Sequence, residues 1–159
     1  MDILDEDLLH FWTILNKHRV KYIMVGGFAV NLYGYTRATN DIDLLLKNDS
    51  ENRKNLADAF SRLGYDNISF DNLQFVPGWT NFYIGTGVQL DIMTSLKGVD
   101  ISFDECLQMA PVAEIEGVLV PFLHINHLIA NKKTVNRPKD QIDVIELEKI
   151  REILAQHKS

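Results

Sequence analysis

The stretch Gly26-Gly27-Phe28-Ala29-Val30-Asn31-Leu32-Tyr33-Gly34-Tyr35-Thr36-Arg37-Ala38-Thr39-Asn40-Asp41-Ile42-Asp43-Leu44-Leu45-Leu46 decides how the rest of the chain reads. Before it, Tyr22-Ile23-Met24-Val25 is a short apolar run that stops at two glycines, as a buried strand does before a turn. Phe28 to Tyr33 predicts a short helix closed by Gly34, and Asp41 to Leu46 predicts a second strand. Alternate strand residues share a face, so Asp41 and Asp43 stand side by side while Ile42 and Leu44 point the other way. Neighbouring carboxylates repel, and each raises the proton affinity of the other unless a cation lies between them. A hard divalent ion with oxygen ligands meets that need. A solvated edge strand also carries Asp-x-Asp, and ordinary turns also carry Gly-Gly.

Working outward, Ile3, Leu4, Leu8, Phe11 and Leu15 recur at helical spacing after an acidic start, which predicts an amphipathic helix ending near Lys17 and His18. Asn48-Asp49-Ser50 is a helix-start signal, with Leu56, Ala59, Phe60 and Leu63 as the core face and Gly64 as the stop. From Leu73 to Thr94 the pattern turns to β, and Asn81–Ile84 and Val88–Met93 flank a hairpin signal at Gly85-Thr86-Gly87. Asp91 sits inside the second of these runs, where a lone carboxylate is costly to bury unpaired. If its strand neighbours the Asp41 strand, three carboxylates converge, a ligand set suited to Mg²⁺ or Mn²⁺ handling a triphosphate.

The C-terminal third predicts a helical turn or two over Phe103–Met109, a second hairpin at Val112–Ile115 and Val118–Phe122, and a helix over His124–Lys133. Arg137-Pro138 opens a last helix, whose Ile142, Ile145, Ile150 and Ile153 are expected to face inward. The order of elements implies an α/β fold, a mixed sheet with helices packed on it, in one domain spanning 1–159 with a short helical segment from about 124 to 159.

With 46% apolar residues the chain can bury a core, and its net charge of −6, with no long basic stretch, gives no footprint for gripping duplex nucleic acid. A local basic cluster, Lys132, Lys133, Arg137 and Lys139, reads as a solvated face unless the segment folds back over the sheet to supply cations for a triphosphate. Cys106, the single cysteine, reads as a buried small apolar residue. The N-terminus is unlike a secretion signal, and no apolar run approaches the roughly 20 residues a bilayer demands, so a cytoplasmic protein with no membrane partner is expected. His124 and His127 lack a third ligand at zinc spacing, and the chain has neither a Gly-Lys-Ser/Thr phosphate loop nor a Gly-x-Ser-x-Gly elbow.

Val25-Gly26-Gly27, Asp41-Ile42-Asp43 and Asp91 together resemble the nucleotidyltransferase superfamily that shares its catalytic palm with DNA polymerase beta. Arg37, Thr39 and Asn40 ahead of the acids resemble the branch of AbiEii-type toxins and their bacterial relatives, and lincosamide-type antibiotic nucleotidyltransferases carry a similar block. Leu128-Ile129-Ala130-Asn131-Lys132 with Arg137-Pro138-Lys139-Asp140-Gln141-Ile142-Asp143 is similar to a C-terminal motif of the AbiEii-like branch. The chain departs from the pattern at Phe28, which stands where many members have serine, and the resemblance is expected to cover the catalytic part without the long acceptor-holding helical domain of larger relatives.

The resemblance implies an enzyme that moves a nucleoside monophosphate from an NTP such as ATP to an unidentified acceptor, releasing pyrophosphate. Asp41, Asp43 and Asp91 would be catalytic and hold Mg²⁺ or Mn²⁺, while Gly26, Gly27, Arg37, Thr39 and Lys132 would hold the nucleotide. Asp140 would be the acid of the final motif; read from the residues it equally suits a first-turn helix charge, and Arg37 equally suits a structural pair with Asp41 or Asp43. The acceptor classes are an RNA end, a protein side chain or a small molecule such as a lincosamide- or aminoglycoside-like antibiotic. The alternative function is a nucleotide-binding or toxin–antitoxin interaction module with little turnover, and a homodimer or a toxin or antitoxin chain is the expected macromolecular partner.

Overall fold

In the computed structural model, residues 6–39, 41–65, 75, 81–85 and 87–157 are described. Ile3, Leu4, Asn40, Leu73 and Trp79 lie outside them, as does the start of the expected β region. The elements run α1 (Glu6–Lys17), β1 (Tyr22–Val25), α2 (Gly26–Leu32), β2 (Asp41–Leu46), α3 (Ser50–Arg62), β3 (Asn81–Ile84), β4 (Val88–Met93), α4 (Phe103–Met109), β5 (Val112–Ile115), β6 (Val118–Pro121), α5 (Ile125–Val135) and α6 (Pro138–Gln156).

Four strands form a mixed sheet in the order β1-β2-β4-β3. β2 and β4 are parallel, with Asp41 opposite Gln89 and Asp43 opposite Asp91, whereas β1 and β3 pair antiparallel on either side. β1 is buried on both faces, which fits its unbroken apolar sequence. Its outer edge is covered by a bridge from Met24 to Phe122 beyond the β5–β6 hairpin, and the Leu123 N–H donates to the Met24 carbonyl at 2.9 Å.

The inner face of the sheet carries Ile42, Leu44, Leu90 and Ile92, all fully buried. α1 and α2 meet there through Trp12 and Phe28, whose ring centroids are 5.3 Å apart, and α3 brings Phe60 to 5.0 Å from Phe82 of β3. One buried polar side chain sets the start of α3. Asn52 accepts from the Lys21 N–H at 2.7 Å and donates to the carbonyls of Lys21 at 2.9 Å and Lys47 at 2.8 Å. It thereby ties the ends of β1 and β2 to a helix that Asp49 caps.

Three expectations need correcting. α2 starts at Gly26, so both glycines are its first residues rather than its lead-in. On α6 it is Asp140, Asp143 and Leu147 that are buried, whereas of the four isoleucines expected inward Ile150 packs partly buried against the core and Ile142, Ile145 and Ile153 are 54%, 55% and 53% exposed. The isoleucine spacing fits a helix face, but the face turned to the protein is the one whose carboxylates meet cations of α5 and the α2–β2 loop. Lys132 is likewise no member of a solvated face, being 3% exposed. Among the described residues no helix is long and apolar enough to cross a membrane.

Urea unfolding distinguishes the two faces of α6. Leu147→Ala is expected to cost about 2–4 kcal/mol through the cavity it leaves. Ile145→Gln stays within about 0.5 kcal/mol, as surface changes do. Equal losses would place the isoleucine face inward.

Candidate active site

β2 and β4 present their carboxylates to one cleft because their register is parallel and unshifted. Asp43 and Asp91 are direct cross-strand neighbours, and Asp41 lies two residues back on the same face. The cleft has a volume of about 550 Å³. Gly26, Gly27, Arg37, Thr39, Asp41, Asp43, Asp91 and Lys132, the site residues named from the sequence, all line it.

The glycines answer to these side chains as much as to any ligand. Gly26 has φ of +68°, and a Cβ there would overlap the Asp43 carboxylate. At Gly27 a Cβ would come within 3.0 Å of Arg37 Nη2 and 3.1 Å of the Thr39 hydroxyl. The Gly-Gly pair thus lets the acid of β2 and the base of the α2–β2 loop close against the first turn of α2. Thr39, 8% exposed, donates to the Asp41 carbonyl at 3.2 Å, and the Arg37 N–H donates to the Asn31 side chain, so the loop is braced at both ends.

The electrostatics are divided. Burial first, then the charges of Asp41 and Asp91, push the Asp43 carboxyl up to about 6, with Lys132 and Lys139 partly offsetting them. Across the cleft, Arg37 does not pair with Asp41 or Asp43. It forms a fork with Asp143, Nε to Oδ1 and Nη2 to Oδ2, both at 2.7 Å. The Lys132 ammonium sits 2.9 Å from Asp143 and 3.2 Å from Asp140. Asp140 is more than a helix-dipole charge, since it accepts from both the backbone N–H (3.0 Å) and Nε (2.7 Å) of Arg137. Burial would raise the Asp140 carboxyl, but Arg137 and Lys132 hold it down to about 2.

Asp143 and Asn131 stand in the C-terminal stretch quoted from the sequence but were given no role there, and Lys97 was not named. Lys97 and Asn131 also line the cleft, and the Asn131 side chain donates to the Lys97 carbonyl at 2.9 Å. The register of α5 and α6 reveals Asn131 and Asp143, and the three-residue step from Asp140 to Asp143 was a readable hint, whereas Lys97 comes from the segment between β4 and α4.

Among the described residues no group of three or more His, Cys, Asp or Glu side chains is gathered closely enough to hold a metal ion as the side chains stand. Uncompensated carboxylates repel, and Asp41 is exposed. The donor set nonetheless fits a hard cation, being all carboxylate oxygen on adjacent backbone with an upshifted central member.

The Asp43 upshift makes a stability prediction whose sign can be worked out. A carboxyl raised on folding binds its proton more tightly in the native state, so stability falls as pH rises from about 4 to about 6 and stays low above that. Asp43→Asn removes that loss. In EDTA, urea unfolding should find Asp43→Asn more stable than the parent by about 1–3 kcal/mol above pH 6, with the gap closing toward pH 4. A variant less stable at pH 8 would contradict this. Gly26→Ala should destabilise by about 1–3 kcal/mol through its positive φ and the displaced Asp43 carboxylate.

A family described as "Nucleotidyl transferase of unknown function (DUF2204)" matches residues 5–158. No curated protein matches the chain. Among solved structures it is similar to the antibiotic-resistance factor ANT(2'')-Ia at 20% identity, over 96% of this chain and 89% of that one, with a TM-score of 0.56. It is similar to the lincosamide antibiotic adenylyltransferase LnuA, lincomycin-bound, at 14% identity over 94% and 99%, with a TM-score of 0.61. It is also similar to an antigenic nucleotidyltransferase-like protein from Paracoccidioides brasiliensis at 17% identity over 98% and 90%, with a TM-score of 0.55. At such identities these structures speak for the shared fold, and the family match over nearly the whole length speaks for the class. The chain belongs to the DUF2204 family and is a nucleotidyltransferase.

Proposed function

We propose that the protein transfers a nucleoside monophosphate from an NTP to an acceptor hydroxyl or phosphate, releasing pyrophosphate, at the face formed by Asp41, Asp43 and Asp91. The observation that carries this reading is the cleft itself, where three carboxylates on adjacent parallel strands face a wall of cations. Asp41 and Asp43, joined by Asp91, would hold Mg²⁺ or Mn²⁺. When bound, such an ion supplies the positive charge that the reacting phosphate and the leaving pyrophosphate need.

The chain's own residues divide the remaining work. The acceptor oxygen bonds to the α-phosphorus, the α–β P–O bond breaks, and the acceptor proton passes to Asp91. Backbone N–H groups at Gly26 and Gly27 and the side chains of Arg37 and Lys139 take the phosphate oxygens, with Arg137 and Lys97 at the rim, while Thr39, its hydroxyl proton given to the Asp41 carbonyl, walls the cleft beside Gly27. Lys132 lines the same cleft and raises its potential while bound to Asp140 and Asp143. Residues 124–159 would act as the helical part of one catalytic domain. The supply of NTP would keep the reaction in the cytoplasm.

Two acceptor classes follow. One is a macromolecular end or side chain, such as an RNA terminus or a protein hydroxyl. The other is a small antibiotic of the kind named for the structural neighbours, lincomycin for LnuA and tobramycin for ANT(2'')-Ia. A second reading, a nucleotide-binding or toxin–antitoxin module with little turnover, draws on the exposed Ile142, Ile145, Ile153 and Leu154 of α6.

Pyrophosphate release and label transfer from each α-³²P NTP, with Mg²⁺ or Mn²⁺ and a pool of these acceptors, test the proposal. The parent should transfer label, and Asp43→Ala should lose about 10³-fold or more, the several kcal/mol a bound cation supplies. Nucleotide binding without release under every combination would favour the module.

A further inference from the structure

Asp143 lies in the second turn of α6 with no accessible surface. A buried carboxylate persists only when its charge is matched and its lone pairs are used. Here the match comes from 106 residues away, through the two-bond fork of Arg37, and from Lys132 on α5. The pairing continues through Lys132 to Asp140 and on to Arg137, a row of three cations and two carboxylates. Its inner members are closed to water: the side chains of Lys132, Asp140 and Asp143 are 4%, 1% and 0% exposed, against 21% for Arg37 and 55% for Arg137. The row therefore ends in two guanidinium groups that line the cleft, and its interior is fixed.

Arg37 is the better held of the two ends. A guanidinium carries five N–H donors. Among the described residues, two go to Asp143 and one, from Nη1, to the Ala38 carbonyl at 3.2 Å. The remaining two, on Nη1 and Nη2, belong to the nitrogens that lie against Gly27. Lys132, by contrast, has both its close contacts on carboxylates inside the protein.

We propose that Asp143 is a positioning residue for the nucleotide: it fixes the Arg37 guanidinium against Gly27 so that the unspent N–H edge meets the triphosphate, and Lys132 holds Asp143 rather than touching phosphate. This rests on the triphosphate site proposed above. Burial opposes the charge on Asp143, yet Arg37 and Lys132 keep its carboxyl below the usual range, so the fork persists across the pH range in which an NTP is fully ionised.

The test uses calorimetric binding of an α,β-methylene NTP with Mg²⁺ to the parent, Asp143→Asn, Arg37→Ala and the double variant, alongside ligand-free thermal unfolding. Each single variant should weaken nucleotide binding about tenfold, equivalent to about 1.4 kcal/mol. The double variant should bind no worse than Arg37→Ala, because Asp143 acts through that side chain. Mn²⁺ affinity without nucleotide should be unchanged in all of them. Loss of thermal stability with nucleotide affinity intact would overturn the inference, as would effects of the two variants that multiply. If Asp143→Asn does not fold, Arg37→Lys decides. It keeps the charge and loses the fork, so weakened binding supports the inference and unchanged binding overturns it. A parent protein that binds no NTP at all would instead remove the proposed function.

Discussion

Two carboxylates held in register on neighbouring parallel strands repel each other, and a third lies within the same strand face. Asp43 and Asp91 cannot move apart without breaking the β2–β4 ladder, which the buried Ile42, Leu44, Leu90 and Ile92 on the opposite face hold in place. A one-residue slip of either strand would turn its acids into the core, so packing of one face fixes the charge of the other. The protein lives with an upshifted acid at the centre of its cleft, a local cost that functional sites commonly carry.

The rest of the cleft is arranged around that constraint. Gly26 lacks a side chain where the Asp43 carboxylate stands, and Gly27 lacks one where Arg37 and Thr39 stand. The two helices at the C-terminus line the same cleft and bring to it a net positive row, tied internally by Asp140 and Asp143. Opposite charges therefore face one another across open space instead of neutralising each other directly. That is the arrangement a polyanionic substrate with its counter-cation requires.

Much of this was legible in the sequence because it rests on short periods. The strand alternation around Asp41 and Asp43, the apolar setting of Asp91 and the glycine stops marked the bounds of β2, β3 and β4 and the mixed sheet. The burial of α6 was not legible. Helical spacing grouped Ile142, Ile145, Ile150 and Ile153 as the inward set, of which Ile150 alone packs against the core, because spacing cannot say which face a helix turns inward when the other offers carboxylates with cationic partners. The same gap hid the role of Asp143, which the sequence showed only as the last residue of a motif. Its partner Arg37 sits 106 residues earlier, a separation that only tertiary structure closes. The glycines were legible as special, but their reason was not, since close approach by the protein's own side chains and by a phosphate leave the same mark in the sequence.

The central claim is that Asp41, Asp43 and Asp91 gather around one divalent cation site. Anomalous diffraction at the manganese edge, from crystals grown with Mn²⁺ and a non-hydrolysable NTP, tests it most directly. The account predicts a peak within about 2.0–2.4 Å of oxygens from these carboxylates and from the triphosphate. Manganese held elsewhere, or nucleotide bound with these three side chains still turned away from any ion, would contradict it.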